Sequence, residues 1–234
     1  MLGTILESLS TNNKFHRIPI SGDPALLNCL SVCEKIAFVG QNGQGKSTLA
    51  KIIVDEISFE GSVKLGHNVQ LGYFAQNQST YLDGSKTVLQ SAEDSATPEN
   101  RTKVRDLLGS FLFQGEVVEK KVSVLSGGER NRLALCKLLL QPFNVLIMDE
   151  PTSVLTPQEV SDLFVTLKKL AADGCSILYI SHKLEEVREI CSEATILRGG
   201  RLVQSCVPQD HSQKELAEMM IGKKLTELAR NKIN

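Results

Sequence analysis

The chain has 234 residues, a formal net charge of −1, 41% hydrophobic and 23% charged residues, the composition of a soluble globular protein with one α/β domain or two small ones. So even a balance gives no overall field toward nucleic acid or an anionic membrane, and no direct DNA binding is expected. No apolar run approaches the ~18 residues of a membrane span, the N-terminus lacks the basic start and cleavage site of a signal peptide, and Cys29, Cys33, Cys136, Cys175, Cys191 and Cys206 form no C-x-x-C pair or zinc-type cluster, so free thiols and a cytoplasmic location are expected.

Residues 1–33 are the least readable part. Leu26 to Val32 is a strand candidate, and Pro19, Gly22 and Pro24 break the region before it. Lys35 to Val39 reads as a strand and Thr48 to Val54 as a helix. Two short strand signals follow, Ser62–Leu65 and Val69–Phe74. From about Ser79 to Val124 the chain turns polar and helical. Val104, Leu107, Leu108, Phe111 and Leu112 carry helical spacing over Arg101–Phe113, and Gly128–Leu140 reads as a further helix. Asn144 to Met148 is an apolar run of the kind that forms a buried parallel strand, ending at Asp149-Glu150. Pro157–Ala172 is a helix with Thr156 as candidate N-cap. Cys175–Ile180 is a second buried strand and Leu184–Ile190 a short helix. Ala194–Leu197 and Arg201–Val203 flank Gly199-Gly200 as a hairpin, and 212–230 read as helical. Alternating strands and helices predict an α/β fold with a mostly parallel sheet and an antiparallel edge. The mid-chain helices, about 79–140, have too few strands to join that sheet and are expected to form a helical lobe.

Between the first strand and helix lies Gly40-Gln41-Asn42-Gly43-Gln44-Gly45-Lys46-Ser47-Thr48, a G-x-x-x-x-G-K-S-T phosphate-binding loop in the required strand–loop–helix context. The glycines let backbone N–H groups turn around a polyphosphate, and the helix N-terminus adds partial positive charge. Lys46 would reach the β- and γ-phosphates and Ser47 would ligate Mg²⁺. Asp149 ends an apolar strand, where ligand sites of open α/β sheets gather, and can hold Mg²⁺ through water. Glu150 would face the other way along an extended segment and so could polarise a water. The bland alternative is a pair of strand-end acids capping the turn Asp-Glu-Pro-Thr. A third element is Leu125-Ser126-Gly127-Gly128-Glu129-Arg130. Ser126 suits an N-cap, and Gly127 and Gly128 bare the backbone N–H groups of the next helix. It is either a second anion-binding helix start or simply a capped helix.

Leu125 to Arg130 resembles the signature motif of the ATP-binding-cassette (ABC) superfamily. Gln76 in Tyr73-Phe74-Ala75-Gln76 resembles its Q-loop glutamine. Val145–Glu150 resembles its Walker B strand with the catalytic glutamate, Ser153-Val154-Leu155-Thr156 its D-loop, and His182 in Ile180-Ser181-His182 its switch histidine. In this order the motifs cover about residues 34–225, so the resemblance implies one cassette over 34–230, a P-loop NTPase fold, and ATP and Mg²⁺ as ligands. It implies that Gly40 to Thr48 hold the phosphates and that Ser47 and Asp149 bind Mg²⁺. Gln76 would sense metal and attacking water, Glu150 would activate that water, and His182 would contact the γ-phosphate. Ser126, Gly127 and Gly128 would meet a nucleotide held by a second cassette, in a homodimer or heterodimer.

Glu34–Thr152 resembles ABC-F proteins, tandem-cassette ATPases acting on ribosomes, on the strength of Lys35–Lys46, Gly72–Gln76 and Leu125–Leu135. Ser153 to about Leu225 resembles the ATPase subunits of simple-sugar and nucleoside importers, through Ser153–Val160, Ile180–Val187 and Ala217–Gly222. The seam of this mosaic falls in Asp149–Thr152, common to both. Where ABC-F proteins read Asn-His-Leu-Asp, this chain has Ser153-Val154-Leu155-Thr156, and Cys33 stands where the family usually has Gly. Phe15 is the candidate for stacking on adenine. The first function implied is a transporter ATPase subunit working with a membrane permease, peripheral at the inner membrane face. The alternatives are an ABC-F-type ribosome-associated ATPase and a nucleotide-binding fragment without turnover.

Overall fold

In a computed structural model, residues 34–60, 63, 65, 68–76 and 78–223 are described. Phe15, Cys29, Cys33, the Leu26–Val32 strand candidate and the end of the 212–230 helix lie outside them. In chain order the elements are β1 (Lys35–Val39), α1 (Lys46–Ile53), β2 (Leu71–Phe74), α2 (Val88–Glu93), α3 (Val104–Ser110), α4 (Gly127–Leu139), β3 (Val145–Asp149), α5 (Pro157–Ala172), β4 (Ser176–Ser181), α6 (Leu184–Ile190), β5 (Glu193–Arg198), β6 (Arg201–Cys206) and α7 (Gln213–Ile221). They fall into two units, one comprising the chain up to Val69 and from Ala171, the other Gln70–Leu170.

In the first unit, β1 is the central strand. It pairs in parallel with β4 on one side and β5 on the other, and β6 closes the edge antiparallel to β5. Parallel strands covered on both faces need apolar residues throughout, and β4, Ser-Ile-Leu-Tyr-Ile-Ser, is buried at every position. The register decides what shares an end of the sheet. Val39 lies opposite Ser181 and also opposite Ile196. The next residues, Gly40 and His182, therefore leave neighbouring strands at the same C-terminal edge.

In the second unit, β2 and β3 run in parallel, with Phe74 opposite Met148. Asn144 sets the register at the start: its Oδ1 accepts from the Gln70 backbone N–H at 2.9 Å, and its own N–H donates to the Gln70 carbonyl. At the far end, Gln76 and Asp149 follow within two residues of the Phe74–Met148 pair. The helices α2 to α4 share this unit, and α4 packs against β2. Phe74, Leu133, Leu146, Ile147, Met148, Leu163 and Leu167 are among its fully buried side chains.

Three local expectations are revised. Val63 and Leu65, the described residues of the Ser62–Leu65 strand signal, lie outside any strand. The Arg101–Phe113 helix is a 3₁₀ turn at Arg101–Lys103 followed by α3, which stops at Ser110. Leu112 takes a φ of +64°, and the Phe113 N–H reaches back to the Leu108 carbonyl at 2.9 Å. This left-handed helix stop turns Leu112 out to solvent and buries Phe113. α7 ends at Gly222, whose φ of +76° makes it a left-handed C-cap.

Candidate phosphate-binding and hydrolysis site

The phosphate-loop residues Gly40 to Thr48 all lie in the first unit. Gly43 and Gly45 take φ values of +78° and +89°, which a side chain would oppose. Gly40 has a different reason to be glycine. A Cβ there would sit 2.6 Å from the Leu197 carbonyl oxygen, inside contact distance. The loop is thus pressed against β5, and Gln44 holds it there by accepting a hydrogen bond from the Gly199 N–H in the hairpin turn. Gln41, Asn42 and Gly43 are exposed, while Ser47 and Thr48 are half-buried.

α1 starts at Gly45 without a side-chain cap and with no acidic residue in its first turn. Its N-terminal N–H groups and its dipole are therefore available to an anion. Lys46 is only 5% exposed. Its Nζ donates to the Gly40 and Gln41 carbonyls at 2.8 and 3.1 Å, which draws the ammonium across the mouth of the loop. His182 is exposed at the same edge of the sheet, one residue beyond β4.

In the second unit, Asp149 closes β3 and is 1% exposed, and Glu150 is 7% exposed. Glu150 is not extended. Its φ of +51° lies in the left-handed region that non-glycine residues rarely occupy. The strand ends one residue earlier than an alternation argument needs, so the direction of Glu150 is set by a turn, closed by the Ser153 N–H on the Glu150 carbonyl at 3.2 Å. Gln76 is exposed beyond β2. The oxygen donors this unit carries at that edge are the Asp149 carboxylate and the Gln76 amide oxygen. An all-oxygen set suits a hard divalent cation such as Mg²⁺.

Ser126 caps α4. Its Oγ accepts from the Glu129 N–H at 3.2 Å, and the Glu129 carboxylate accepts from the Ser126 N–H at 2.7 Å. That last bond holds the Glu129 carboxyl below its ordinary pKa. Ser126 and Gly127 are exposed, and a Cβ on Gly127 would meet nothing. Gly128 is tighter, since its Cβ would lie 3.3 Å from the Val154 carbonyl oxygen. The turn after β3 and the start of α4 are linked twice more. Buried Asn131 Nδ2 donates to the Pro151 carbonyl at 3.4 Å. Arg132 forms an ion pair with Glu159, both side chains largely buried. Glu159 in turn accepts from the Thr156 N–H at 2.8 Å, and its own N–H donates to Thr156 Oγ1, as expected of an N-cap. The Arg132 guanidinium also lies 5.5 Å from the centre of the Phe113 ring.

Sequence reasoning missed Gln44 as a link to the hairpin, the Arg132–Glu159 pair and Glu186. Each acts through a contact between residues far apart or on different elements. Only Glu159, three residues after Thr156, carried a readable capping-box signal.

A strand–loop–helix phosphate cradle and an acidic strand end, carried on largely parallel strands, define a P-loop NTPase. The ABC transporter family model matches residues 28–153, just over half of the chain. The chain is 39% identical to ABC transporter F family member 5 of Arabidopsis thaliana over 68% of its own length and 24% of that protein. It is 33% identical to the galactose/methyl galactoside import ATP-binding protein MglA 2 of Photobacterium profundum, over 85% of this chain and 43% of that one. With the ribose import ATP-binding protein RbsA of Oceanobacillus iheyensis it shares 27% identity over 97% of this chain and 48% of the relative. The chain belongs to the ABC transporter family, and it spans less than half the length of these relatives. Among the described residues no helix is long and apolar enough to cross a membrane.

Proposed function

We propose that the chain is an ATP-hydrolysing cassette that closes around ATP with a second cassette, either another copy or a related domain. The observation that carries this reading is the uncapped, acid-free start of α1, with Lys46 drawn over it by the Gly40 and Gln41 carbonyls. The backbone N–H groups from Gly43 to Thr48 would take the β- and γ-phosphates, and Lys46 would exchange its carbonyl partners for phosphate oxygens. Ser47, Asp149 and Gln76 would hold Mg²⁺, which would supply positive charge for the transferred phosphoryl group. Glu150 would take a proton from the attacking water, and His182 would donate to the γ-phosphate. Ser126 and Gly127 are exposed and Gly128 is half-buried at the start of α4, as suits a surface offered to a nucleotide bound elsewhere.

Among partners, a membrane permease is favoured, with the cassette on the cytoplasmic side. The importer relatives match 85% and 97% of the chain, against 68% for the ABC-F relative. The higher identity of the ABC-F match, 39%, supports a ribosome as the second reading. One variant tests the chemistry. Glu150→Gln should retain ATP, lower kcat by about 10²–10⁴-fold as expected for loss of a general base, and accumulate an ATP-bound dimer in size-exclusion chromatography. Wild-type phosphate release from that variant would remove Glu150 from the role, and a strictly monomeric ATP complex would remove the second cassette. ATP-dependent co-purification of Glu150→Gln with a permease or with ribosomes separates the two partners.

A further inference from the structure

We propose that Glu186 is a positioning residue for His182, clamping the β4–α6 turn from inside the first unit so that the imidazole stands at the phosphate edge. The inference rests on the role given to His182 above. The contacts themselves come from four residues that surround it. Tyr179 is fully buried on β4, and its hydroxyl donates to Glu186 Oε2 at 2.8 Å. Glu186 Oε1 meets Lys183 Nζ at 3.1 Å. The Lys183 N–H donates to Ser181 Oγ at 3.0 Å. The residues immediately before and after His182 are thus tied together, and Lys183 is tied through Glu186 to the strand that leads into the turn.

Glu186 is itself only 9% exposed. A carboxylate there is a poor source of stability, because desolvating it offsets most of what its partners return, and an apolar side chain packs as well. What the carboxylate adds is direction: each oxygen holds one group at one place. α6 has no side-chain cap at Lys183 to fix its start, so Glu186 supplies the constraint from one turn further along. The helix is anchored in turn, with Gln213 Nε2 of α7 donating to Glu185 at 2.9 Å and Arg188 Nε donating to the Pro208 carbonyl at 3.3 Å. A displacement of His182 would therefore come from loss of the clamp while the helix stays in place.

The test is a mutant cycle in steady-state ATPase kinetics on the full chain. Glu186→Gln and Tyr179→Phe should each lower kcat by about tenfold or more, toward the about 100-fold that a misplacement of about 1 Å can cost, while KM for ATP changes less than about twofold. His182→Ala should lower kcat further, and His182→Ala/Glu186→Gln should match His182→Ala alone, because the clamp acts only through the histidine. A wild-type kcat in both clamp variants, or losses that multiply in full in the double variant, would overturn the inference while leaving the function standing. Unchanged turnover in His182→Ala would overturn the role of His182 and this inference with it. Should Glu186→Gln fail to fold by circular dichroism, Tyr179→Phe, which removes one oxygen, carries the same cycle.

Discussion

Two helix starts in this chain look alike in sequence, glycine-rich and followed by a helix, and differ in what occupies them. α1 begins at a left-handed glycine with no side-chain cap and no acid in its first turn, and its own first residue, Lys46, is a cation turned toward the loop carbonyls. α4 begins at Ser126 with a closed capping box, and Glu129 brings a carboxylate onto the same end. An anion gains dipole, donors and a cation at the first site. At the second, a carboxylate is already using part of the dipole. The two are also held differently. The α1 loop is fixed by backbone contact with β5, through Gly40 against the Leu197 carbonyl and Gln44 on Gly199. The α4 start is tied to the turn after β3 by side chains, Asn131 on Pro151 and Arg132 on Glu159. Under the proposed function, the first would bind phosphate alone and the second would contribute to a site that another surface completes.

The contrast breaks most easily at Lys46. Lys46→Ala should weaken ATP retention by about 100-fold or more, since a charge-assisted contact to two phosphates is lost, whereas Ser126→Ala should leave single-chain affinity within about twofold. Equilibrium dialysis under dilute, monomeric conditions decides it, and equal losses in the two variants would erase the distinction. The next effect concerns how α4 is held. Glu159→Ala should destabilise the fold by about 3–5 kcal/mol in urea, because Arg132 is left buried without its counter-charge; replacing both by methionine should recover most of that loss.

The smallest effect is a pH step at the capping box. The folded Glu129 carboxyl lies below its unfolded pKa, chiefly through the Ser126 N–H. Its stabilisation is therefore complete above about pH 4.3, the ordinary glutamate value, and is lost as pH falls through the folded value. Urea midpoints of wild type and Glu129→Gln should differ near neutrality and converge as pH falls through the lowered folded value. α1 has no acid in its first turn and should show no corresponding step.

Much of this contrast could be read along the chain. Gly40 to Thr48 between a strand and a helix is enough to name a phosphate cradle, and Pro157–Ala172 and Leu184–Ile190 have the same bounds in sequence and structure. Those signals are local, carried by glycine spacing, helical period and cap chemistry. Harder cases turned on competition between local and distant contacts. Leu112 fits the apolar stripe of α3 by spacing, yet Phe113 takes the buried place beneath Arg132 and the chain reverses to let it. Glu150 reads as one more residue of an extended run, yet it sits in a left-handed turn.

By itself, the order of residues determined which segments become strands and helices and which loop can cradle a phosphate, because backbone conformation and capping answer to neighbours a few positions away. Only the folded chain decided that Val39 lies opposite Ser181, so that Gly40 and His182 emerge side by side. Only it decided that Gly40 must clear a carbonyl 157 positions later, and that Glu186 is buried between Tyr179 and Lys183. Strand register and burial depend on partners that no local spacing encodes.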